Sequence, residues 1–195
     1  IEESAIYVSF RHLSRISKID YPSGQVIWNI GLPYEYNTGD ENICTDLQFS
    51  WQHHIQILEN GDLLFFDNGN LSEMLLDDPF PTTRIRRIRV IDESYCETIW
   101  QYDLPYNLHG SGTGSVQFLD NGNYYIYTYG NGLGENELSI LEVTPEGDIV
   151  WMATPTNLFT AWYRSYKVPT LHPNAFSVII DNYNTLYTTI DTLKG

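Results

Sequence analysis

Two kinds of β-hairpin alternate along this chain, and that repeat restricts the fold more than any other feature of the sequence. The first kind ends in tryptophan after a turn. It runs Ile19-Asp20-Tyr21-Pro22-Ser23-Gly24-Gln25-Val26-Ile27-Trp28, and returns as Val90-Ile91-Asp92-Glu93 continuing to Thr98-Ile99-Trp100. A third copy is Val143-Thr144-Pro145-Glu146-Gly147-Asp148-Ile149-Val150-Trp151. The second kind is built on Asn-Gly: Leu58-Glu59-Asn60-Gly61-Asp62-Leu63-Leu64 and Leu119-Asp120-Asn121-Gly122-Asn123-Tyr124-Tyr125. Asn-Gly supplies the positive φ values of a two-residue hairpin turn. Two hairpins in succession make four antiparallel strands. The tryptophans lie 72 and 51 residues apart and the Asn-Gly pairs 61 apart, which suits four-stranded units separated by long insertions. No apolar stripe of period 3.6 reaches helical length, so helix should be minor.

The expected fold is therefore all-β, a β-propeller of four-stranded antiparallel blades. Residues 7–28 close one blade, 54–100 make a second and 115–151 a third, and the tail 176–195 begins a fourth. Three to four blades do not close a ring of the usual size. The chain opens on Ile1 rather than Met, and truncation upstream is the plainer expectation.

Composition narrows the function. A net charge of −15 opposes binding to a phosphate backbone or an anionic membrane, so neither nucleic acid nor membrane insertion is expected. Against that acidic background the cations stand out, half of them being Arg11, Arg84, Arg86, Arg87 and Arg89. They suggest a strand and a site rather than a diffuse basic surface. No stretch approaches the roughly 18 apolar residues of a membrane span. A signal peptide is also missing, which carries no weight in a chain without its initiator. Cys44 and Cys96 fit no metal-ligand spacing, and spacing alone leaves two buried thiols and one disulfide equally open. The acidic residues Asp40, Glu41, Asp77 and Asp78 read as solvated loop carboxylates, and no metal site is expected.

The residues able to carry chemistry cluster at blade boundaries. Phe49-Ser50-Trp51-Gln52-His53-His54-Ile55-Gln56 leads into the first Asn-Gly hairpin, whose second strand continues to Phe66-Asp67-Asn68-Gly69. Strand side chains alternate, so His53 and His54 should face opposite ways and are improbable as a metal pair. His54 is the expected packing partner. His109 stands in Asn107-Leu108-His109-Gly110-Ser111-Gly112-Thr113-Gly114, a flexible glycine-rich loop at the entry to the third blade, where propellers place their sites. His12 and His172 read as surface or structural.

Those segments resemble the bacterial-type arylsulfotransferase family. Phe49–Gln56 followed by Phe66-Asp67-Asn68-Gly69 looks like that family's Gln-His strand and its later Asp-Asn-Gly. Ser9-Phe10-Arg11-His12-Leu13-Ser14 resembles the preceding blade. Gly114-Ser115-Val116-Gln117-Phe118-Leu119 resembles the next, and Tyr163-Arg164-Ser165-Tyr166 the closing segment. The matches run in family order over residues 7 to 172. The resemblance implies a six-bladed propeller that is periplasmic or secreted. It implies transfer of a sulfuryl group from an aryl sulfate to a phenol through a transient sulfohistidine, with no nucleotide donor and no cofactor. It implies phenols and aryl sulfates as small-molecule partners.

Carried over by motif, His109 is the candidate nucleophile and His53 the second catalytic histidine. Arg11, Arg84 and Asn68 are the candidate substrate-binding residues. Arg84 also belongs to a basic run that reads equally as a solvated strand face, and Asn68 reads more simply as part of its turn. The family's Asp-x-x-His-x-Asn stretch would precede the first blade here, and its arginine after Asp-Asn-Gly is replaced by Leu71-Ser72-Glu73. Two other readings stand beside this one. One is a non-catalytic propeller that binds carbohydrate or protein, and the other is a quinoprotein-like propeller, which lacks the Ala-x-Asp/Gly-Lys docking residues.

Overall fold

A computed structural model describes residues 4–36, 42–130, 138–156 and 162–168. His172 and the expected strand-forming tail 176–195 lie outside the described residues.

Among the described residues twelve strands form three four-stranded sheets. The first contains Ala5–Phe10 (β1), Arg15–Asp20 (β2), Val26–Gly31 (β3) and Asn42–Ile43 (β4). The second contains His53–Ile57 (β5), Leu63–Asp67 (β6), Arg84–Ile91 (β7) and Tyr95–Asp103 (β8). The third contains Ser115–Phe118 (β9), Tyr124–Thr128 (β10), Ser139–Val143 (β11) and Ile149–Ala153 (β12). The one described α-helix is the five-residue Ser72–Leu76 (α1), beside a few single 3-10 turns. The chain is all-β, as the hairpin repeat requires.

The tryptophan repeat has a structural meaning that its spacing did not disclose. Trp28 pairs with Lys18, Trp100 with Arg87 and Trp151 with Glu142, and in each sheet the register shifts at the next residue of the partner strand. Each tryptophan thus sits beside a β-bulge in a hairpin, the outermost one in the second and third sheets and the central one in the first. Bulges add local twist and re-aim side chains, and here one recurs beside the tryptophan in all three blades.

Two expectations need correction. Asn-Gly does not form a two-residue turn. Gly61 N–H donates to Leu58 C=O and Leu58 N–H to Asp62 C=O, and of the Asn60-Gly61 pair only the glycine has a positive φ (84°). The loop is a three-residue turn with a left-handed glycine, and Asn121-Gly122 repeats it. The tight turn with two successive positive φ values occurs instead at Asp92 (47°) and Glu93 (53°). The second correction concerns the first sheet, which is not wholly antiparallel. β4 runs parallel to β3, pairing Asn42 with Asn29 and Ile43 with Ile30.

The sheets stack face to face. β5 packs on β1, and β9 packs on β5 and β6, the stacking of propeller blades. The second sheet is buried on both faces, which explains the unbroken apolar run Leu63-Leu64-Phe65-Phe66 on β6. Leu63 and Phe65 join Ile16, Ile30 and Phe49 in one core, while Leu64 and Phe66 join Ile85, Val116 and Ile126 in the other. Each such side chain contributes about 2 kcal/mol of burial. Cys44, just after β4, and Cys96 on β8 form a disulfide across 52 residues, tying the first sheet to the second.

Candidate active site

The site lies where the second sheet's inner strand, the Asp67-Asn68-Gly69 turn and the glycine loop before β9 meet. Its first element, Ser50–His54, is held residue by residue. Ser50 N–H donates to Asp67 Oδ1 at 3.0 Å, and Trp51 N–H donates to Ser14 Oγ at 3.3 Å. Gln52 Nε2 donates to Ser9 Oγ (2.9 Å) and Arg15 C=O (2.8 Å). Trp51 and His54 adopt left-handed φ values of 58° and 49°, a conformation that costs a non-glycine residue about 1 kcal/mol. The kink at His54 coincides with a register break between His53 and Gln56.

That kink sends the two histidines apart. His54 is buried. Its Nδ1 accepts from Val116 N–H at 3.2 Å, so its proton sits on Nε2, 3.1 Å from Tyr166 Oη. Burial, with the charge of Arg164, pushes its pKa down to about 4. His54 is a neutral strut between sheets, the packing role expected of it. His53 is half-buried and turns to Asn68, with Nδ1 2.6 Å from Asn68 Oδ1.

Asn68 is wholly buried and sits at the crossing of three segments. Its Nδ2 donates to Gly110 C=O (2.7 Å) and Thr113 C=O (3.0 Å). These two carbonyls fix the amide orientation, so Oδ1 is the acceptor and His53 must donate Nδ1–H to it. The turn itself is made by the neighbours of Asn68, contrary to the simpler sequence reading. Asp67 Oδ1 accepts from Gly69 N–H at 3.0 Å. Gly69 (φ 66°) lies so close to the 82–83 backbone that a Cβ there would stand 1.8 Å from Thr82 O. Asn68 is left to face the site.

His109 is buried at the start of the glycine loop, and its Nδ1 is 3.0 Å from Thr83 Oγ1. The loop is not the flexible segment that its glycines suggest. Ser111 N–H donates to Gly130 C=O, Asn70 Nδ2 to Ser111 C=O and Thr128 Oγ1 to Leu108 C=O. Gly110 and Gly114 hug the Phe66 ring, where a Cβ on Gly114 would meet Cε1 at 2.5 Å. Glycine serves here for close approach, and the loop is a fixed platform for His109.

Both site histidines are held below their ordinary pKa. For His109 the cause is burial. For His53 it is burial, opposed by the Asn68 bond and reinforced by the charges of Arg11 and Arg164. Both rings are therefore neutral near pH 7. Arg11 lies over the Trp51 ring at 4.4 Å, with Nη1 2.9 Å from His12 Nε2. Arg164 is exposed on a segment docked across the third sheet. There Ser165 N–H donates to Ser115 Oγ, Lys167 N–H donates to Gln117 Oε1, and Trp162 shares hydrogen bonds with the Tyr127 hydroxyl. Arg164 was absent from the sequence-level candidates, although it lies within the quoted Tyr163–Tyr166 segment.

The four arginines of β7 are all paired with carboxylates. Arg84 is buried between Asp78 (Nη2–Oδ2 2.7 Å) and Asp103 (Nε–Oδ2 3.2 Å). Arg86 Nε meets the buried Asp67 Oδ2 at 2.8 Å. Arg87 and Arg89 share Asp62, where burial raises the carboxyl pKa but the bonds from Arg89, Asn60 and Arg87 outweigh it and hold it low. The basic run is thus not a solvated face: Arg86, Arg87 and Arg89 neutralise the buried carboxylates Asp67 and Asp62, and Arg84 is matched by Asp78 and the half-exposed Asp103. Among the described residues no group of three or more His, Cys, Asp or Glu is placed to hold a metal ion.

Fold and site together define a class: an all-β protein of propeller-like blades, with two histidines tethered at Nδ1 at one blade junction. The family whose model matches is Arylsulfotransferase (ASST), over residues 2–166, and the chain belongs to that family. No curated protein matches the chain. Among solved structures, a protein of unknown function from Bacteroides caccae is similar, with 16% identity and a TM-score of 0.46. The match covers 77% of this chain and 42% of that one, so the chain spans less than half the length of that protein.

Proposed function

We propose that this chain carries the sulfuryl-transfer centre of an aryl-sulfate sulfotransferase acting on phenols. The observation that carries the proposal is the pair of neutral, Nδ1-tethered histidines, His53 and His109, joined through Asn68 beside Arg11 and Arg164. In this reading the Nε2 lone pair of His109 attacks the ester sulfur, and the S–O bond to the aryl group breaks with its electron pair leaving on the phenolate. Arg11 and Arg164 hold the non-bridging sulfate oxygens as charge develops. An acceptor phenol then attacks the sulfur of the sulfohistidine and the N–S bond breaks, returning the pair to Nε2. His53, whose Nδ1 is occupied by Asn68, takes the phenol proton on Nε2. Arg84 has no part in this scheme, because its guanidinium is matched by two carboxylates. No cofactor or nucleotide is required.

The Cys44–Cys96 disulfide supports an oxidising, extracytoplasmic setting, the setting that family membership also suggests. Among the described residues no helix is long and apolar enough to cross a membrane.

The test is transfer from 4-nitrophenyl sulfate to a phenol without any nucleotide, monitored through the nitrophenolate that is released. Expected are turnover in the wild type, loss of about a hundredfold or more for His109→Ala, and a labelled sulfohistidine after quenching. Binding of the aryl sulfate without turnover would sink this reading in favour of a non-catalytic propeller. The specific observation on that side is Leu71-Ser72-Glu73, where the family's arginine is lacking.

A further inference from the structure

The Thr83 hydroxyl, just before β7 and wholly buried, has three polar neighbours at hydrogen-bond distance. Asn68 C=O lies 2.9 Å away, Gly110 N–H 2.9 Å and His109 Nδ1 3.0 Å. A hydroxyl has one proton and two lone pairs. Gly110 can only donate to it and the Asn68 carbonyl can only accept from it. The single proton is therefore committed to Asn68, and one lone pair to Gly110. What remains for His109 is the second lone pair, so Nδ1 must carry the hydrogen. The opposite assignment would strip the Asn68 carbonyl of this donor in a buried site.

We infer that Thr83 is the positioning residue that sets the tautomer of His109, leaving the unprotonated nitrogen at Nε2. The inference rests on the reading of His109 as nucleophile only for its consequence in rate; the tautomer assignment stands on the hydrogen bonds alone. The same residue, Asn68, closes the circuit. Its side chain receives Nδ1–H of His53 and its main-chain carbonyl receives the Thr83 proton. Both histidines are thereby locked into the same tautomer by one tripeptide turn and one threonine, with no carboxylate in contact with either ring in these bonds. A neutral partner suits a nucleophile that must stay neutral, because a carboxylate would raise the imidazole pKa and favour its protonation.

The experiment uses the full chain labelled with nitrogen-15 at histidine, read by long-range proton–nitrogen correlation near pH 7 without substrate. His109→Gln assigns the ring. The wild type should show His109 protonated at Nδ1, and Thr83→Ser, which keeps the hydroxyl, should show the same. Thr83→Val should shift His109 toward Nε2–H, and should lower kcat about tenfold while KM stays within about twofold. Nε2–H in the wild type would overturn the inference outright, and this holds even if the valine variant does not fold. An unchanged tautomer in a folded Thr83→Val protein would also overturn it. The expected tautomers without any sulfuryl transfer in the wild type would refute the functional reading and leave the role of Thr83 in the tautomer intact.

Discussion

Replacing Asn68 with leucine isolates how much of the site is held by one amide. Leucine approximates the shape of asparagine but can neither donate nor accept a hydrogen bond. Two carbonyls, Gly110 O and Thr113 O, lose donors at 2.7 and 3.0 Å, and His53 loses its acceptor. An orphaned buried carbonyl costs about 1–3 kcal/mol, so the two together cost roughly 3 kcal/mol, while the half-exposed His53 can turn to water for about 0.5. The sum, roughly 3–4 kcal/mol, is a large share of the 5–15 kcal/mol that stabilises a typical domain. For a chain of this size each kcal/mol shifts Tm by about 2–4 °C, so Asn68→Leu should melt roughly 6–16 °C below the wild type. Thermal unfolding followed by circular dichroism gives the shift. Amide exchange across residues 110–114 should accelerate in the same variant. Asn70→Ala removes one bond to the same loop, from Nδ2 to Ser111 C=O at 2.9 Å, and should cost only about 1 kcal/mol. A melting point within about 2 °C of the wild type, with exchange of the loop unchanged, would show that Phe66 packing alone holds the loop and that the amide accounting is wrong.

Stability should fall with acid in a window set by His54. Its pKa drops from 6.5 unfolded to about 4 folded, so the unfolded chain binds more protons between those values. This contribution is fully present above pH 6.5 and is lost as pH falls to about 4, up to about 3 kcal/mol. Urea midpoints measured from pH 7.5 to 4 should show the slope, and His54→Gln should flatten it; an equal slope in both proteins would refute the assignment. Replacing Cys44 and Cys96 together with alanine opens a loop of 52 residues, worth about 4 kcal/mol in the chain-entropy model. A reductant should then lower Tm in the wild type and leave the double variant unmoved.

Much of the fold was legible because its signals are local. Turn residues and β-branched or aromatic runs act over a few positions, and three Trp-ended hairpins sufficed for an all-β, bladed reading. Turn details were not legible. Asn-Gly is compatible with two loop lengths, and strand pairing selected the three-residue form at both Asn60-Gly61 and Asn121-Gly122. Asp92 tolerates a left-handed conformation, but nothing about Glu93 marks the second of the two left-handed residues at the β7–β8 turn. The parallel pairing of Asn42–Ile43 with β3 likewise has no pattern of its own in so short a strand.

The site divides the same way. His53, His109, Asn68 and Arg11 could be picked as candidates from residue type, loop position and family motif. Their hydrogen-bond states could not, because Thr83 and Asn68 meet His109 and His53 across 26 and 15 residues. Which arginines lack a carboxylate partner was equally hidden. Arg84 and Arg11 are alike in the sequence, and only the positions of Asp78 and Asp103 make one a carboxylate-paired cation while the other rests on Trp51 and His12.

By itself, then, the order of residues determined strands, hairpins and the repeat that makes blades, since backbone preferences and alternation are properties of neighbouring residues. Tertiary structure alone decided the partner of each cysteine, the carboxylate behind each arginine of β7 and the proton on His53, His54 and His109. These depend on distances between segments far apart in the chain, and on burial, which removes water and makes every unpaired polar group costly.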